Sequence, residues 1–217
     1  MKKVLLLLLA MILLGSSVWA GNDLDSILKE MDKKQKGIKD LKANFSQEKV
    51  LELLEEKLIS RGKMSYKKSD RMSWEYSAPD PLLMIIKGKR MWLYYPDMKV
   101  AEKYDLAGAG ETLGLFVGFG KSMEYLKKNY QVRLLEEKKD FCSLELIPKR
   151  EEESRYISKI ILWIDTKEYW PVKTKIFEPN GDTTLIEFKD IEINTKIPDS
   201  EFEFKVPKGV EVVEPLK

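Results

Sequence analysis

The most constraining stretch of the chain is residues 62–96, GKMSYKKSDRMSWEYSAPDPLLMIIKGKRMWLYYP. Met64 and Tyr66 alternate with polar neighbours, and Met72, Trp74 and Tyr76 alternate with Ser73 and Glu75. Successive side chains of a strand point to opposite faces, so this period of two predicts a half-buried antiparallel sheet. Pro79-Asp80-Pro81 forces a turn and Lys87-Gly88-Lys89 closes a tight hairpin, which divides the stretch into four short strands. Residues 82–86 and 91–95 are apolar on both faces, the pattern of strands covered on both sides. Phe45, Met64, Tyr66, Met72, Trp74, Tyr76, Trp92 and Tyr94 make up an apolar set rich in methionine and large aromatics, where a plain core carries valine and isoleucine. Such a stripe reads either as packed core or as the lining of a pocket that accepts apolar guests of varied shape.

The flanking segments extend the same architecture. Residues 22–40 place Leu24, Ile27, Leu28, Met31 and Ile38 at helical spacing, with Asn22 or Asp23 as N-cap. The period changes to two at Ala43, Phe45 and Gln47, which open a strand. Residues 51–58 (LELLEEKL) fit either a helical turn or a strand-loop-strand connection, and the flanking strands favour the second. The segment beginning at Leu106 (LAGAGETLGLFVGFG) carries five glycines among large apolar residues. Each glycine weakens a helix by nearly ~1 kcal/mol relative to alanine, so the segment is poorly committed to one conformation. It reads either as a movable cover or as a buried connection with short helices. Residues 121–128 form a short helix. Strands follow at 130–136, 141–148, 156–165, 170–178, 183–194 and 202–206, with Asn180-Gly181 as a hairpin turn. The result is a large antiparallel sheet that must curl to bury its face.

The N-terminus, with Lys2 and Lys3, an apolar run over residues 4–14 and small residues before Ala20, has the form of a secretory signal peptide over residues 1–20. The run is shorter than the roughly 20 residues a membrane span needs. The expected product is an exported soluble protein comprising one domain over residues 21–217. Acids and bases are interspersed at a net charge of +2, which leaves no basic footprint for nucleic acid. Cys142 is the single cysteine, it lies in an alternating strand, and it reads as a buried structural thiol.

The chain offers little to catalysis. It contains no histidine, so the commonest general base and metal ligand is absent. It has no nucleophile elbow, phosphate loop, dinucleotide fingerprint or clustered ligand set. No catalytic residue, metal site or cofactor is therefore expected, and the charge runs read as solvated faces.

With those features in place, the chain resembles a known family, the periplasmic outer-membrane lipoprotein carriers, LolA. The matching residues are Asn44-Phe45-Ser46-Gln47, Gly62, Arg71-Met72-Ser73-Trp74-Glu75-Tyr76, Pro79-Asp80-Pro81, and Gly88-Lys89 followed by Met91-Trp92-Leu93-Tyr94-Tyr95-Pro96. The second half continues with Asn180-Gly181-Asp182-Thr183-Thr184, Asn194, Phe202-Glu203-Phe204 and Pro207-Lys208-Gly209-Val210. The resemblance implies a mainly β (α+β) fold: an unclosed, strongly curved antiparallel half-barrel covered by a lid of short helices. It implies that the eight residues above line an apolar cavity for acyl chains, with Leu113, Phe116 and Phe119 on the lid. It further implies a monomer in the periplasm that accepts acylated lipoproteins from an inner-membrane ABC-type releasing complex and passes them to an outer-membrane receptor lipoprotein. A lid-locking arginine of the family corresponds in spacing to Lys68, followed by Ser69 in place of the usual proline, and Arg71 is the nearby substitute. The runner-up reading is a LolA-like periplasmic lipid-binding or envelope-sensing module with a different cargo.

Overall fold

The computed structural model describes residues 23–68, 70–77, 79–106 and 123–214. The expected signal peptide and the lid residues Leu113, Phe116 and Phe119 lie outside the described residues. Helix α1 (Leu24–Gly37) starts where the Asp23 carboxylate accepts a hydrogen bond from the Ser26 N–H at 2.7 Å, satisfying one of the unpaired donors of the first turn. It buries Ile27, Leu28 and Met31, and it stops where Ile38 turns extended.

Strands β1 (Asp40–Leu51) and β2 (Glu56–Lys67) form a long hairpin closed by a 3-10 turn over Glu52–Leu54. Glu55 takes the left-handed conformation there (φ 51°) to reverse the chain. The meander continues through β3 (Arg71–Tyr76), β4 (Leu82–Lys87), β5 (Arg90–Tyr95) and β6 (Val100–Asp105). Helix α2 (Met123–Asn129) leads into a second meander, β7 (Tyr130–Glu137), β8 (Phe141–Pro148), β9 (Lys159–Asp165), β10 (Pro171–Phe177) and β11 (Thr183–Ile193), with a one-turn helix α3 (Glu151–Ser154) between β8 and β9. Gly88 (φ 62°) and Gly181 (φ 94°) supply the left-handed turn positions at two of the hairpins.

With a last short strand β12 (Glu211–Val213), pairing of β1 with β11 joins the meanders into one 12-stranded sheet, ordered β12-β6-β5-β4-β3-β2-β1-β11-β10-β9-β8-β7. The sheet is unclosed, because β7 and β12 stand at its two ends. All pairings are antiparallel except β12 on β6. Asn194, in the left-handed region (φ 57°), ties the sheet to the end of α1. Its side chain accepts from the Lys39 N–H at 2.7 Å and donates to the Gly37 carbonyl at 3.0 Å.

The inner face carries the core. Over β7–β10, α1 and α2 bury Ile27, Leu28, Met31, Met123 and Leu126 against Leu144, Leu146, Ile160, Leu162 and Ile176. Cys142 belongs to this cluster; burial, then the Glu137 carboxylate, pushes its thiol up to about 11, so it is an inert apolar filler. Over β1–β4 and β11 the inner face continues as Leu41, Ala43, Phe45, Met64, Met72, Trp74, Ile86, Ile186 and Phe188.

Several segments differ from the sequence reading, among them the one-turn helix α3. Residues 202–206 are not a strand: Asp199–Phe202 is a 3-10 turn, and the chain then crosses the outer face of β3–β5 as an irregular strap. Pro198 and Pro207 bracket the strap and remove backbone donors that a ladder would need. Strand β6 and its short parallel partner β12 are additional elements.

Candidate functional site

Register decides which aromatics share a face, because residues opposite one another in a ladder point the same way. Met64 lies opposite Trp74, Tyr66 opposite Met72, and Gly62 opposite both Phe45 and Tyr76. Six of the eight sequence-selected residues, Phe45, Met64, Tyr66, Met72, Trp74 and Tyr76, thus come together on the inner face. The Phe45 ring stands 4.7 Å from Trp74 and 5.0 Å edge-on from Tyr76, and Trp74 meets Phe188 at 6.2 Å. Gly62 makes this possible. A Cβ there would lie 2.8 Å from two Phe45 ring carbons and 1.9 Å from the Glu75 carbonyl oxygen.

Gln47, two residues along β1 from Phe45, faces the same way and its Oε1 accepts from the Tyr76 hydroxyl at 3.0 Å. Burial pushes the Tyr76 phenol up to about 12, so it stays a neutral hydrogen-bond donor. The Phe45-Ser46-Gln47 spacing has a physical reading here: Phe45 packs the aromatic cluster and Gln47, the next residue on that face, satisfies its buried hydroxyl.

Between the two halves of the inner face is a cavity of about 350 Å³, at the low end of the roughly 300–1,000 Å³ typical of small-molecule sites. Met72, Trp74, Tyr76 and Met84 line it from one half, and Ile157, Ile176 and Ile186 from the other. Gln47 and the Lys49–Glu178 ion pair (3.6 Å) supply most of the polar lining. Sequence reasoning missed Met84, Ile157, Ile176 and Ile186. Met84, Ile176 and Ile186 are strand residues and Ile157 lies just before β9, and they are visible as lining only once β1–β11 pairing brings the halves together.

Trp92 and Tyr94 require a correction. They lie opposite Ile85 and Leu83 on the outer face, while Met91 packs against the inner cluster. The strap covers them: the Phe204 ring sits 5.1 Å from Trp92 and 5.4 Å from Tyr94. Because β5 is apolar on both faces, period alone cannot tell its sides apart. A larger cavity, about 830 Å³, lies beside this contact. Lys87, Lys89, Arg90, Lys103 and Glu203 make its lining strongly charged, unsuited to an acyl chain.

The lid-lock residues are also placed differently. Arg71 points to the outer face, where its Nη1 pairs with Asp199 Oδ1 at 2.6 Å, and Lys67 binds the same oxygen. Those two cations hold the Asp199 carboxyl below its usual range. Arg71 therefore fastens the strap, not the inner face. Lys68 is exposed and donates to the Lys36 carbonyl at the end of α1 at 3.4 Å. Among the described residues no group of three or more Cys, Asp or Glu is placed to hold a metal ion.

The architecture agrees with the comparison to known proteins. The family model described as "Outer membrane lipoprotein carrier protein LolA" matches residues 36–205. The chain belongs to the LolA family. The outer-membrane lipoprotein carrier protein of Legionella pneumophila (strain Corby) is 27% identical over 187 residues, covering 84% of this chain and 87% of that protein. The one from Dechloromonas aromatica (strain RCB) is 25% identical over 179 residues, covering 82% and 83%. A crystal structure of an uncharacterized conserved protein from Thermus thermophilus superposes with a TM-score of 0.57 at 13% identity, covering 88% of this chain and 98% of that one, and shows the shared fold. The family is described, and the Legionella and Dechloromonas relatives are named, as outer-membrane lipoprotein carriers. No helix among the described residues is long and apolar enough to cross a membrane.

Proposed function

We propose that this LolA-family protein is exported by cleavage after Ala20 and ferries acylated lipoproteins between membranes, holding their acyl chains against the inner face of the sheet. The observation that carries the reading is the apolar cavity where the Met72–Trp74–Tyr76 wall meets Ile176 and Ile186. An acyl chain in water costs about 0.8 kcal/mol per methylene, on the order of 10 kcal/mol for a long chain, so unaided crossing of an aqueous compartment is negligible. A carrier must also let go. Contacts from Met and aromatic side chains are individually weak and tolerant of shape, which suits reversible capture of varied cargo. In this reading the cavity is filled and emptied by partner complexes. An inner-membrane ABC-type complex loads it and an outer-membrane receptor lipoprotein unloads it.

The test is competition between an apolar dye and a synthetic tripalmitoyl lipopeptide on the purified protein. Saturable displacement of the dye is expected, with at least tenfold weaker lipopeptide binding by Trp74→Glu. A folded Trp74→Glu protein that binds lipopeptide as well as the parent would refute the cavity as the cargo site.

A further inference from the structure

The end of the β1–β2 hairpin carries a surface that the inner cavity does not explain. Leu53 is 91% exposed, Leu54 65%, Ile59 54% and Leu58 42%. Single exposed hydrophobic residues are ordinary, but Leu53 and Leu54 are adjacent in the turn, and Leu58 and Ile59 flank it on opposite faces of β2, so the hairpin end is apolar on more than one side, the mark of an interaction site. The hairpin end is also fastened in place. Asp182 Oδ1 accepts from the Glu52 N–H at 2.9 Å, docking the 3-10 turn on the β10–β11 turn. The Glu52 side chain packs over Gly181, where a Cβ would meet its Cγ at 3.1 Å. Held at Glu52, the turn presents Leu53 and Leu54 to water as a built feature of the fold.

Its position and shape say what it meets. Gln47 and Lys49, which line the cavity, lie on β1 just before the turn. At about 3.3 Å per residue the leucines stand roughly 15 Å beyond them, at the same end of the sheet. The patch is an exposed hairpin turn, not a groove, and β2 has no β3 partner before Gly62, so it suits a soft medium that closes around it. Two ladder neighbours of the tip, Glu48 and Lys57, neutralise each other at 2.8 Å, and Lys49 pairs with Glu178. Glu52, Glu55 and Glu56 then leave an acidic excess beside the leucines, which disfavours an anionic lipid surface.

We infer that the β1–β2 tip enters the interfacial region of a lipid bilayer with zwitterionic headgroups, bringing the cavity up to the leaflet. The purpose of this contact rests on the carrier reading above; its detection does not. The experiment places an environment-sensitive fluorophore on Leu53→Cys. Cys142 is 1% exposed and stays unlabelled in the native protein. On phosphatidylcholine vesicles the label is expected to shift to the blue and become protected from an aqueous quencher. In flotation, Leu53→Glu combined with Leu54→Glu is expected to lower the vesicle-bound fraction at least tenfold, and adding phosphatidylglycerol is expected to weaken the parent's binding. A label that stays in water, or a double variant that floats like the parent, overturns the inference. Lipopeptide uptake separates the two readings. Uptake without tip insertion removes this inference and leaves the carrier, whereas tip insertion in a protein that takes up no lipopeptide removes the carrier and leaves the tip.

Discussion

Gly62→Ala is the most informative single change, because it adds one methyl group where the inner wall has no room for it. The new Cβ would meet the Glu75 carbonyl oxygen at 1.9 Å and the Phe45 ring at 2.8 Å, both far inside van der Waals contact. The carbonyl belongs to the backbone of β3, so it retreats only if the β2–β3 ladder opens. The ring retreats only by leaving Trp74 and Tyr76. Overpacking of this kind costs about 1–3 kcal/mol, and each lost aromatic contact adds about 0.5–1.5 kcal/mol. A total near 3–4 kcal/mol lowers the unfolding temperature by roughly 6–16 °C for a chain of this size. Thermal unfolding followed by circular dichroism reads the shift, and apolar-dye binding reads the effect on the cavity. The control is Gly37→Ala, where an added Cβ meets nothing within 4 Å and stability should be unchanged or slightly higher. A Gly62→Ala protein that melts with the parent would refute the close approach of Phe45 to Gly62 and the packing argument built on it.

Two further outcomes are expected. Thr174 is fully buried in the inner wall and its hydroxyl has no hydrogen-bond partner among the described residues; Thr174→Val keeps the shape and removes the orphan, so the denaturation midpoint should rise by about 1 kcal/mol equivalent at an unchanged slope. Tyr76 is raised to about 12 in the fold, so its contribution is intact below the ordinary tyrosine value near 10 and is lost as pH climbs towards 12, about 2–3 kcal/mol in all; Tyr76→Phe should flatten part of the alkaline loss of stability, and a parent whose stability is level from pH 9 to 12 would contradict the burial of that phenol.

Much of this architecture was legible in the residue pattern, for reasons that also explain the failures. In β3, inward Met72, Trp74 and Tyr76 differ chemically from outward Arg71, Ser73 and Glu75, so alternation identified both the strand and its buried side. In β5 both sides are apolar, so alternation identified the strand and left the side of Trp92 and Tyr94 open until register fixed it. Residues 202–206 alternate like a strand, but their aromatics are spent on covering a sheet face from outside, a tertiary role that local period does not encode. Strand β6 was missed because Val100, Ala101 and Tyr104 are a sparse apolar signal among charges. Arg71 could not be assigned a face from spacing to a lid. Only the position of Asp199, 128 residues further on, shows where its charge goes. The leucines at 53 and 54 were visible as residues, yet nothing in a period of two or 3.6 says that a turn will hold them out of the core.

The strap carries a consequence for selectivity. A curved sheet with aromatics on both sides is a sheet with two adhesive surfaces, and only the inner one encloses a volume without a strongly charged lining. By laying Phe202 and Phe204 over Ile85, Trp92 and Tyr94 and bolting Asp199 to Arg71 and Lys67, the chain acts as its own resident ligand on the outer side. An intramolecular occupant of that kind is present at an effective concentration no free lipid reaches. The half-barrel therefore has a handedness of stickiness: greasy guests compete for the hollow side, while the back of the sheet is already taken.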